Sequence, residues 1–164
     1  MDKFVAVDVE IAARSPIRIC SIGAVRVEYG REIASSYSLV HVDGRVRYTH
    51  IHRLTAADLM NAPLWPAAWQ GVRSLLTDVQ TIVAFRASFD RGAILAVSGR
   101  YGVRLPRLRF VCAAKMIKRK WGCDMNLAAS LERLGLPFPG QPHHALADAR
   151  AAAAIALACG TATP

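Results

Sequence analysis

The sequence predicts an α/β fold in which helices pack on one mixed five-stranded sheet. Three β-type segments follow one another closely at the start, and short connections of that kind favour antiparallel neighbours. Two shorter apolar segments then alternate with helical segments, which favours parallel strands. The length of 164 residues suits one domain with a substantial core. We therefore expect three antiparallel strands followed by parallel strands.

The strands are indicated by short apolar or alternating segments bounded by turn residues. Gly30–Arg31 is expected to form the hairpin turn between the second and third strands. An irregular stretch is expected after the first strand as far as Pro16, and a basic irregular stretch from His41 to Arg53. The predicted strands are Phe4–Val9, Arg18–Tyr29, Glu32–Val42, Gln80–Phe85 and Leu108–Cys112.

The helices are indicated by apolar periodicity and by residues typical of helix ends. Thr55 is expected to be an N-cap, with Asp58 three residues further on, while Gly135 and Gly160 are expected to end the last two helices. A proline-rich loop is expected over 136–142. The predicted helices are Thr55–Met60, Trp65–Leu76, Ser88–Tyr101, Ala113–Trp121, Asn126–Leu134 and Ala145–Cys159.

The charge balance is compatible with a nucleic-acid partner. There are 21 Lys and Arg residues against 12 Asp and Glu, a net charge of +9, and a basic excess of this kind suits a polyanion. An arginine-rich composition gives the same excess without any such partner. The stretch from Arg100 to Lys120 is likewise compatible with a phosphate track or with a solvated basic face.

The sequence gives no indication of a membrane or an oxidising compartment. It contains no run of about 18 apolar residues, and MDKFVAVDVE does not resemble a secretion signal. The cysteines are far apart and form no CxxC pair, so we expect buried free thiols and a cytoplasmic location. They are Cys20, Cys112, Cys123 and Cys159.

Asp8 and Glu10 stand two residues apart in an apolar segment, VAVDVEIA. The period of two along a strand places both side chains on one face. Two adjacent carboxylates repel each other unless a cation neutralises them or one takes up a proton. The pair therefore favours a metal site, although an isolated D-x-E is equally compatible with a structural or incidental role.

Four further polar residues are ambiguous when each is considered alone. Asp90 follows the apolar segment TIVAF and is typical of an acid in the first helical turn. Asp148 lies in ALADARAAAAIALA, where close packing would bury it, or where it would face solvent near Arg150. His143 and His144 precede it, and histidines in loops are commonly solvated or capping.

Taken in order, these residues resemble the motifs of the DEDD exonucleases of the histidine subclass, a family that includes the proofreading epsilon subunit of bacterial DNA polymerase III and RNase T. FVAVDVEIA is similar to the first motif, VAFRASFD to the second and HHALADA to the third. IHRLTAADL resembles the segment that follows the third strand in these proteins. The similarity extends from about Phe4 to Leu157, and it implies an RNase H-like sheet within a single exonuclease domain, residues 1–164.

The resemblance implies two Mg²⁺ or Mn²⁺ ions held by Asp8, Glu10, Asp90 and Asp148, with His143 as general base. Oxygen ligands suit these hard cations, and paired ions are a recurrent device of phosphodiester hydrolysis. The implied reaction is 3′→5′ hydrolysis of single-stranded ends, with DNA favoured and nucleoside 5′-monophosphates released. The implied partners are DNA or RNA 3′ ends and a polymerase or another nuclease complex.

We also expect Ile11, Arg86 and Phe89 to bind substrate, with Ile11 beside the nucleotide terminus as the resemblance implies. Ile11 stands where the family commonly has Thr, and Phe85-Arg86 stands where it commonly has His-Asn. Arg53 replaces a common Gly in IHRLT. None of these departures removes a carboxylate, so we expect activity to be retained, while the preferred terminal nucleotide is left open.

Local geometry and family pattern disagree about the two histidines. His144 and Asp148 are four residues apart and would share a helical face. The family pattern instead points to His143, five residues before the aspartate. Pro142 allows His143 to lie in the loop ahead of the helix, and we therefore predict that His143 is the base.

Three alternative functions compete with a DNA exonuclease. An exoribonuclease similar to RNase T or oligoribonuclease is open because no residue reports recognition of the 2′-hydroxyl group. A non-catalytic nucleic-acid-binding or docking domain on the same fold is disfavoured by the four retained acids. An RNase H-type endonuclease is disfavoured by the histidine five residues before the last aspartate.

Overall fold

The structure is a computed structural model that describes residues 2–160. Residue 1 and residues 161–164 belong to the predicted domain range 1–164 but lie outside the described residues. Twelve elements follow one another in this part of the chain. The strands are β1 (Lys3–Arg14), β2 (Ile17–Glu28), β3 (Arg31–Leu39), β4 (Thr81–Ala84) and β5 (Arg109–Cys112). The helices are α1 (Thr49–His52), α2 (Ala56–Leu59), α3 (Trp65–Leu75), α4 (Ala87–Arg100), α5 (Ala113–Trp121), α6 (Leu127–Arg133) and α7 (Ala145–Gly160).

The five strands form one mixed sheet in the order β3-β2-β1-β4-β5. The hairpin-connected strands β1, β2 and β3 pair antiparallel, whereas β4 pairs parallel with both β1 and β5. The predicted fold class is therefore confirmed. Its physical basis is the length of the connections, because β3 is followed by three helices before β4, and β4 by α4 before β5.

The predicted end of the first strand at Val9 is wrong, because β1 continues to Arg14. β2 supplies pairing partners along this extension, and bulges around Ile11 absorb the irregular register. Consequently Asp8 and Glu10 lie within the strand and not at its end. β4 pairs with only a short part of β1 well before the two acids, so that edge of β1 is open beside them.

The hairpin between β2 and β3 turns at Tyr29–Gly30, one residue earlier than predicted. Both residues have positive φ, 47° and 80°, and Glu28 pairs with Arg31 across the turn. Two central residues with positive φ define the type I′ turn that matches the twist of a hairpin. The error arose because glycine was assigned to the first central position, although it occupies the second.

The segment predicted to be irregular between β3 and α2 contains the four-residue helix α1. Tyr48 and Arg53 flank this helix, both in the left-handed region at φ 62°. The next helix begins as predicted, since Thr55 and Asp58 form a reciprocal capping box.

The core consists of two apolar layers, one on each face of the sheet. Alternate residues of β1 face α3 and α4 on one side, and the intervening residues face α5, α6 and α7 on the other. Phe4 and Ala6 belong to the second set, so the strand period places Asp8 and Glu10 on the face that α7 covers. The residues of β1 on the first face are Val5, Val7, Val9 and Ile11.

Helix α7 packs closely against the sheet at Gly23 of β2. A Cβ atom at this position would lie 2.3 Å from the backbone of both Ala145 and Leu146. Gly23 pairs with Asp8 across β1 and β2. The missing side chain therefore lets the start of α7 rest on the sheet directly beside Asp8, and Asp148 follows within the first turn of the helix.

The sequence led us to expect buried free cysteines and no membrane-spanning segment. All four cysteines are free, but the expected burial is wrong for Cys123, which is exposed, and Cys112 is only partly buried. None of the helices in residues 2–160 combines the length and apolar character needed to cross a bilayer.

Substitution of Gly23 by Ala should test the contact between α7 and the sheet. The new methyl group would meet helix backbone, which cannot rotate away, so we expect a loss of about 1–3 kcal/mol or more in the free energy of unfolding. Gly99→Ala is the matched control, since a Cβ atom there meets nothing within 4 Å, and it should stabilise α4 by about 0.5–1 kcal/mol. Chemical denaturation of both variants measures the difference. Equal stabilities would contradict the close packing.

Candidate active site

The first two acids of the site come from β1. Asp8 and Glu10 are partly buried and lie on the face of the sheet covered by α7. Their cross-strand partners on β2 are Gly23 and Ser21, which are small. Small partners leave space above the strand, so the carboxylates face the start of α7 and are not covered by a larger neighbour.

The start of α7 brings Asp148 and His143 to these acids. Asp148 is buried, and it lies in the first helical turn. His143 lies in the turn before the helix at φ 63°, and its backbone N–H donates to the two carboxylate oxygens of Asp148 at 3.3 and 3.2 Å. One ligand atom each of Glu10, His143 and Asp148 lies within 4.8 Å of the other two. The turn before α7 therefore brings two carboxylates and one imidazole close together.

Asp90 reaches the same place from the first turn of α4. It is 3% exposed. The backbone N–H groups of Asp90 itself and of Val9 face its carboxyl group and moderate the rise of its pKa. The latter donor is available because β4 ends early and leaves this edge of β1 unpaired. Asp90 is thus fixed to β1 and does not merely interact with the helix dipole.

Burial and mutual repulsion govern the protonation of these acids. The pKa of Asp8 lies well above its ordinary value, first because of burial and then because of the charges of Asp90, Glu10 and Asp148. Burial, reinforced by Asp148 and Asp90, raises the pKa of Glu10 to about 8. Burial raises the pKa of Asp90 to about 7 and that of Asp148 to about 6, and His143 opposes the rise at Asp148. Each carboxyl group therefore disfavours ionisation of the others.

The acids fit divalent cations such as Mg²⁺ or Mn²⁺. Within residues 2–160 no lysine or arginine forms a salt bridge with any of the four. Buried carboxylates without cationic partners are costly unless they are protonated or bind metal. Their oxygen atoms are the donors that hard divalent cations prefer. Asp8 and Asp90 are outside the tight group of Glu10, His143 and Asp148, so the structure supports a donor set and not a particular coordination geometry.

The two adjacent histidines have different surroundings. The side chain of His143 lies at the acids, as described above. The ring of His144 instead stacks on Tyr37 of β3, with ring centroids 4.4 Å apart, and its backbone carbonyl accepts the N–H of Asp148 at 3.0 Å. The helical spacing of four therefore brings the backbone of His144 to Asp148, while its ring lies elsewhere.

A small apolar pocket adjoins Glu10. It has a volume of about 80 Å³. Phe89 and Ile51 contribute large hydrophobic side chains that are 40% and 36% exposed. We call it the Phe89 pocket, and its lining residues are Glu10, Ile11, Arg14, Tyr48, Ile51, His52 and Phe89.

The predicted substrate-binding residues are only partly brought together. Ile11 and Phe89 line the Phe89 pocket, whereas Arg86 is an exposed residue before α4 and does not line it. The sequence interpretation missed Arg14, whose guanidinium lies over the ring of Tyr48 at 5.9 Å from its centroid. A cation–π pair between residues more than thirty positions apart leaves no local pattern in a sequence.

His52 is a second residue that the interpretation missed. It is buried, its Nδ1 accepts the N–H of Leu54 at 3.0 Å, and its Nε2 lies 2.9 Å from the carbonyl of Arg47. Acceptance at Nδ1 leaves Nε2 as the donor, so the ring is held in one neutral tautomer. Burial lowers its pKa accordingly. Its position within IHRLTAADL was the one signal that this residue helps to form the site.

Comparison with known proteins identifies the family. The exonuclease family, RNase_T, matches residues 5–156. The chain belongs to this exonuclease family. Membership supports a nuclease that acts on nucleic acid, and it confirms the broad prediction of a DEDD-type exonuclease. No curated protein matches the chain significantly.

Solved structures with the same fold include several exonucleases. The nuclease domain of 3′hExo bound to rAMP has a TM-score of 0.79 at 16% identity, over 95% of this chain and 90% of that one. Exonuclease X with 5′-overhanging duplex DNA has a TM-score of 0.69 at 20% identity, over 98% and 94%. Exonuclease I of E. coli with a dA16 oligonucleotide has a TM-score of 0.78 at 18% identity, over 100% and 42%.

The chain spans only part of some of these proteins. It covers 62% of the length of the 3′-exonuclease solved for 3′-end recognition of a histone mRNA stem-loop, at 16% identity and a TM-score of 0.79. It covers 62% of cell-death related nuclease 4 as well, at 14% identity and a TM-score of 0.80. Identities this low support a shared fold only. The substrate and partners of this chain have to be inferred from its own residues.

The stability of the metal-free exonuclease should fall as pH rises. A carboxyl group whose pKa is raised in the folded state contributes stability at low pH, which is lost as pH rises through that value. With folded-state pKa values of about 6 to 8 in the site, the melting temperature in EDTA should drop by roughly 5 °C or more between about pH 5 and pH 8.

Two variants and one addition test that assignment by calorimetry. Glu10→Gln should flatten the pH dependence because it removes one repelling charge, whereas Glu132→Gln, at an exposed position on α6, should leave it unchanged. Mn²⁺ at pH 8 should restore the melting temperature by binding the folded state. A wild-type profile as flat as that of Glu10→Gln would contradict the mutual repulsion of the acids.

Proposed function

We propose that this chain is a 3′→5′ exonuclease of the histidine subclass that removes nucleotides from single-stranded nucleic-acid ends, with DNA favoured, and releases nucleoside 5′-monophosphates. The observation that carries the proposal is the convergence of four carboxylates and His143 around β1, beside a small apolar pocket. The whole range 1–164 would act as a single catalytic domain.

Asp8, Glu10, Asp90 and Asp148 are proposed to hold two Mg²⁺ or Mn²⁺ ions. When bound, these ions neutralise phosphate charge, activate water and stabilise the leaving oxygen. The charge of the acids also affects substrate binding. Without cations the ionised carboxylates would repel a phosphodiester, and their close neighbours make them costly to ionise. Metal occupancy and substrate binding should therefore depend on each other.

His143 is proposed to accept the proton of the attacking water. Its ring nitrogen lies within 4.8 Å of carboxylate oxygens of Glu10 and Asp148, and the side chain is exposed to incoming substrate and water. The hydrogen bond from its backbone to Asp148 fixes its position relative to the acids. Imidazole is the side chain that most often takes up a proton in general base catalysis.

The Phe89 pocket supports action on chain ends. Its volume of about 80 Å³ and its exposed apolar side chains suit part of one nucleoside beside Glu10. We propose that the 3′-terminal nucleoside contacts Ile11 and Phe89, which leaves the preceding phosphodiester at the acids. Arg86, which lies before α4 and outside the pocket, would contact the substrate only at its edge.

A preference for DNA draws support from exonuclease structures solved with a dA16 oligonucleotide and with 5′-overhanging duplex DNA. The second candidate is an exoribonuclease, which the 3′hExo nuclease domain bound to rAMP favours. A polymerase or another nuclease complex is proposed as a partner by family resemblance. We propose a cytoplasmic location for the protein.

An exonuclease assay tests the proposal directly. 5′-labelled single-stranded DNA incubated with Mn²⁺ should give a ladder that shortens from the 3′ end, and EDTA should abolish it. Parallel reactions with RNA and with duplex DNA rank the substrates, and Asp148→Asn should be inactive although folded. Cuts within a circular single strand, or no cleavage of any DNA or RNA, would contradict an exonuclease.

The two adjacent histidines make a matched pair of variants. If His143 is the base, His143→Ala should lower kcat by about 10²–10⁴-fold, the usual contribution of a positioned general base. The pH profiles of kcat for the wild-type protein and for His143→Ala measure whether this proton transfer is lost. Both variants must be compared at saturating metal, so that lower occupancy is not taken for lost proton transfer.

His144→Ala should have a much milder effect, because its ring stacks on Tyr37 and its backbone carbonyl, which binds α7, is retained. A crippled His144→Ala beside a nearly normal His143→Ala would reverse the assignment.

A further inference from the structure

Arg53 adopts a backbone conformation that is unusual for its side chain. It is the C-cap of α1, with φ 62° and ψ 7°, and its backbone N–H donates to the carbonyl of Thr49 at 2.9 Å. Glycine is the residue that commonly ends a helix in this left-handed conformation, because a Cβ atom destabilises it. An arginine therefore carries an energetic cost here, and residues held in such conformations cluster at functional sites.

The cost is not offset by contacts of the side chain. Arg53 is exposed, and its guanidinium forms no hydrogen bond or ion pair with any of residues 2–160. In contrast, Arg26 and Arg150 both pair with acids of their own chain. The unpaired cation of Arg53 is thus available to an external anion.

Arg53 lines a cavity of about 180 Å³ that we call the Arg53 pocket. The stacked rings of Tyr37 and His144 form part of its wall, and His52 and His143 contribute to it as well. Its lining residues are Ser21, Tyr37, His52, Arg53, Leu54, Gln141, Pro142, His143 and His144.

The Arg53 pocket and the Phe89 pocket are neighbours, and we call the two together the groove. His52 lines both pockets, and His143, at the acids, lines the Arg53 pocket. A strand whose terminal nucleoside lies in the Phe89 pocket, with its last phosphodiester at the acids, would next pass His143. The Arg53 pocket is therefore where the following backbone segment would lie.

A third cavity also borders His143, but it is a poorer site for a phosphate. Its volume is about 270 Å³, and it contains no lysine or arginine while Asp148 contributes negative charge. Among these three cavities beside the acids, the Arg53 pocket combines a permanent cation with neutral polar groups and has no carboxylate in its lining. Arg is the side chain best suited to grip a phosphate through two parallel hydrogen bonds. The lining residues of the third cavity are Asn126, Leu127, Ala128, Phe138, Pro142, His143 and Asp148.

We propose that Arg53 binds the first phosphodiester upstream of the scissile one and so sets the minimum substrate length for efficient turnover. This inference rests on the proposed exonuclease function. It assigns the strained arginine a role that its position as a helix cap does not require, because glycine would end α1 without strain. The stacked Tyr37 and His144 rings would flank the same backbone segment.

Three thymidine substrates separate this contact from the chemistry. The p-nitrophenyl ester of thymidine 5′-monophosphate and the dinucleotide dTpdT contain only the scissile phosphate, whereas dTpdTpdT adds one upstream. In Mn²⁺, Arg53→Gly should lower kcat/KM for dTpdTpdT about 10-fold or more, which is the usual worth of a charge-assisted hydrogen bond. It should leave the two shorter substrates nearly unchanged. Arg53→Lys should retain part of the activity on dTpdTpdT that Arg53→Gly loses, because it keeps the charge but not the paired hydrogen bonds.

Two measurements distinguish substrate contact from a structural role. The melting temperature of Arg53→Gly should be unchanged or higher, since glycine relieves the left-handed strain. With Mn²⁺ and in the inactive Asp148→Asn background, the affinity of Arg53→Gly for a dT oligonucleotide can be measured by fluorescence anisotropy. Its salt dependence should be weaker than that of Asp148→Asn alone by roughly one phosphate contact. Arg73→Gln removes the same charge from the exposed face of α3 and should change neither length dependence nor salt dependence.

The outcomes separate the two proposals. Equal losses on dTpdT and dTpdTpdT, or no loss on either, would overturn the role of Arg53 while leaving the exonuclease function intact. A lower melting temperature with uniform losses would assign Arg53 to the fold. If the wild-type protein hydrolysed neither the three short substrates nor a longer strand, the proposed function would fail. This inference would then fail with it.

Discussion

The close approach of α7 to the sheet at Gly23 is the constraint on which the site depends. Because a Cβ atom there would lie 2.3 Å from helix backbone, only glycine lets the first turn of α7 lie beside the strand that holds Asp8. This contact brings Asp148 and His143 to β1. Residues more than a hundred positions apart thus meet because one side chain is absent.

The same contact forces like charges together, and the rest of the fold must oppose their repulsion. The pKa of Asp8 rises because of burial and of three neighbouring acids, which shows that the apo site disfavours its own ionised state. Two apolar layers hold the acids in position from both sides of the sheet. Hydrophobic packing therefore stabilises an arrangement that electrostatics alone would separate, and divalent cations are the species that would relieve the strain.

Much of this arrangement could be predicted from the sequence, and the failures have physical reasons. The shared face of Asp8 and Glu10 follows from the period of a strand, and the capping box at Thr55 follows from local chemistry. The length of β1 was underestimated because its extension depends on pairing with β2, which is a long-range interaction. The roles of Gly23 and His52 were missed for the same reason, since their partners are set by tertiary structure.

Residues with strained backbone conformations line the groove beside the acids. Five residues other than glycine have positive φ in the described part of the chain, and three of them, Tyr48, Arg53 and His143, line the pockets beside the acids. Residues in such conformations persist only where the surrounding structure fixes them. His52 supplies that fixation for α1, because both ring nitrogens bind backbone groups on either side of the helix. Protonation of Nδ1 would remove the acceptor for Leu54, so the shape of the groove depends on a neutral His52. The proposed proton transfer would use a different histidine, His143.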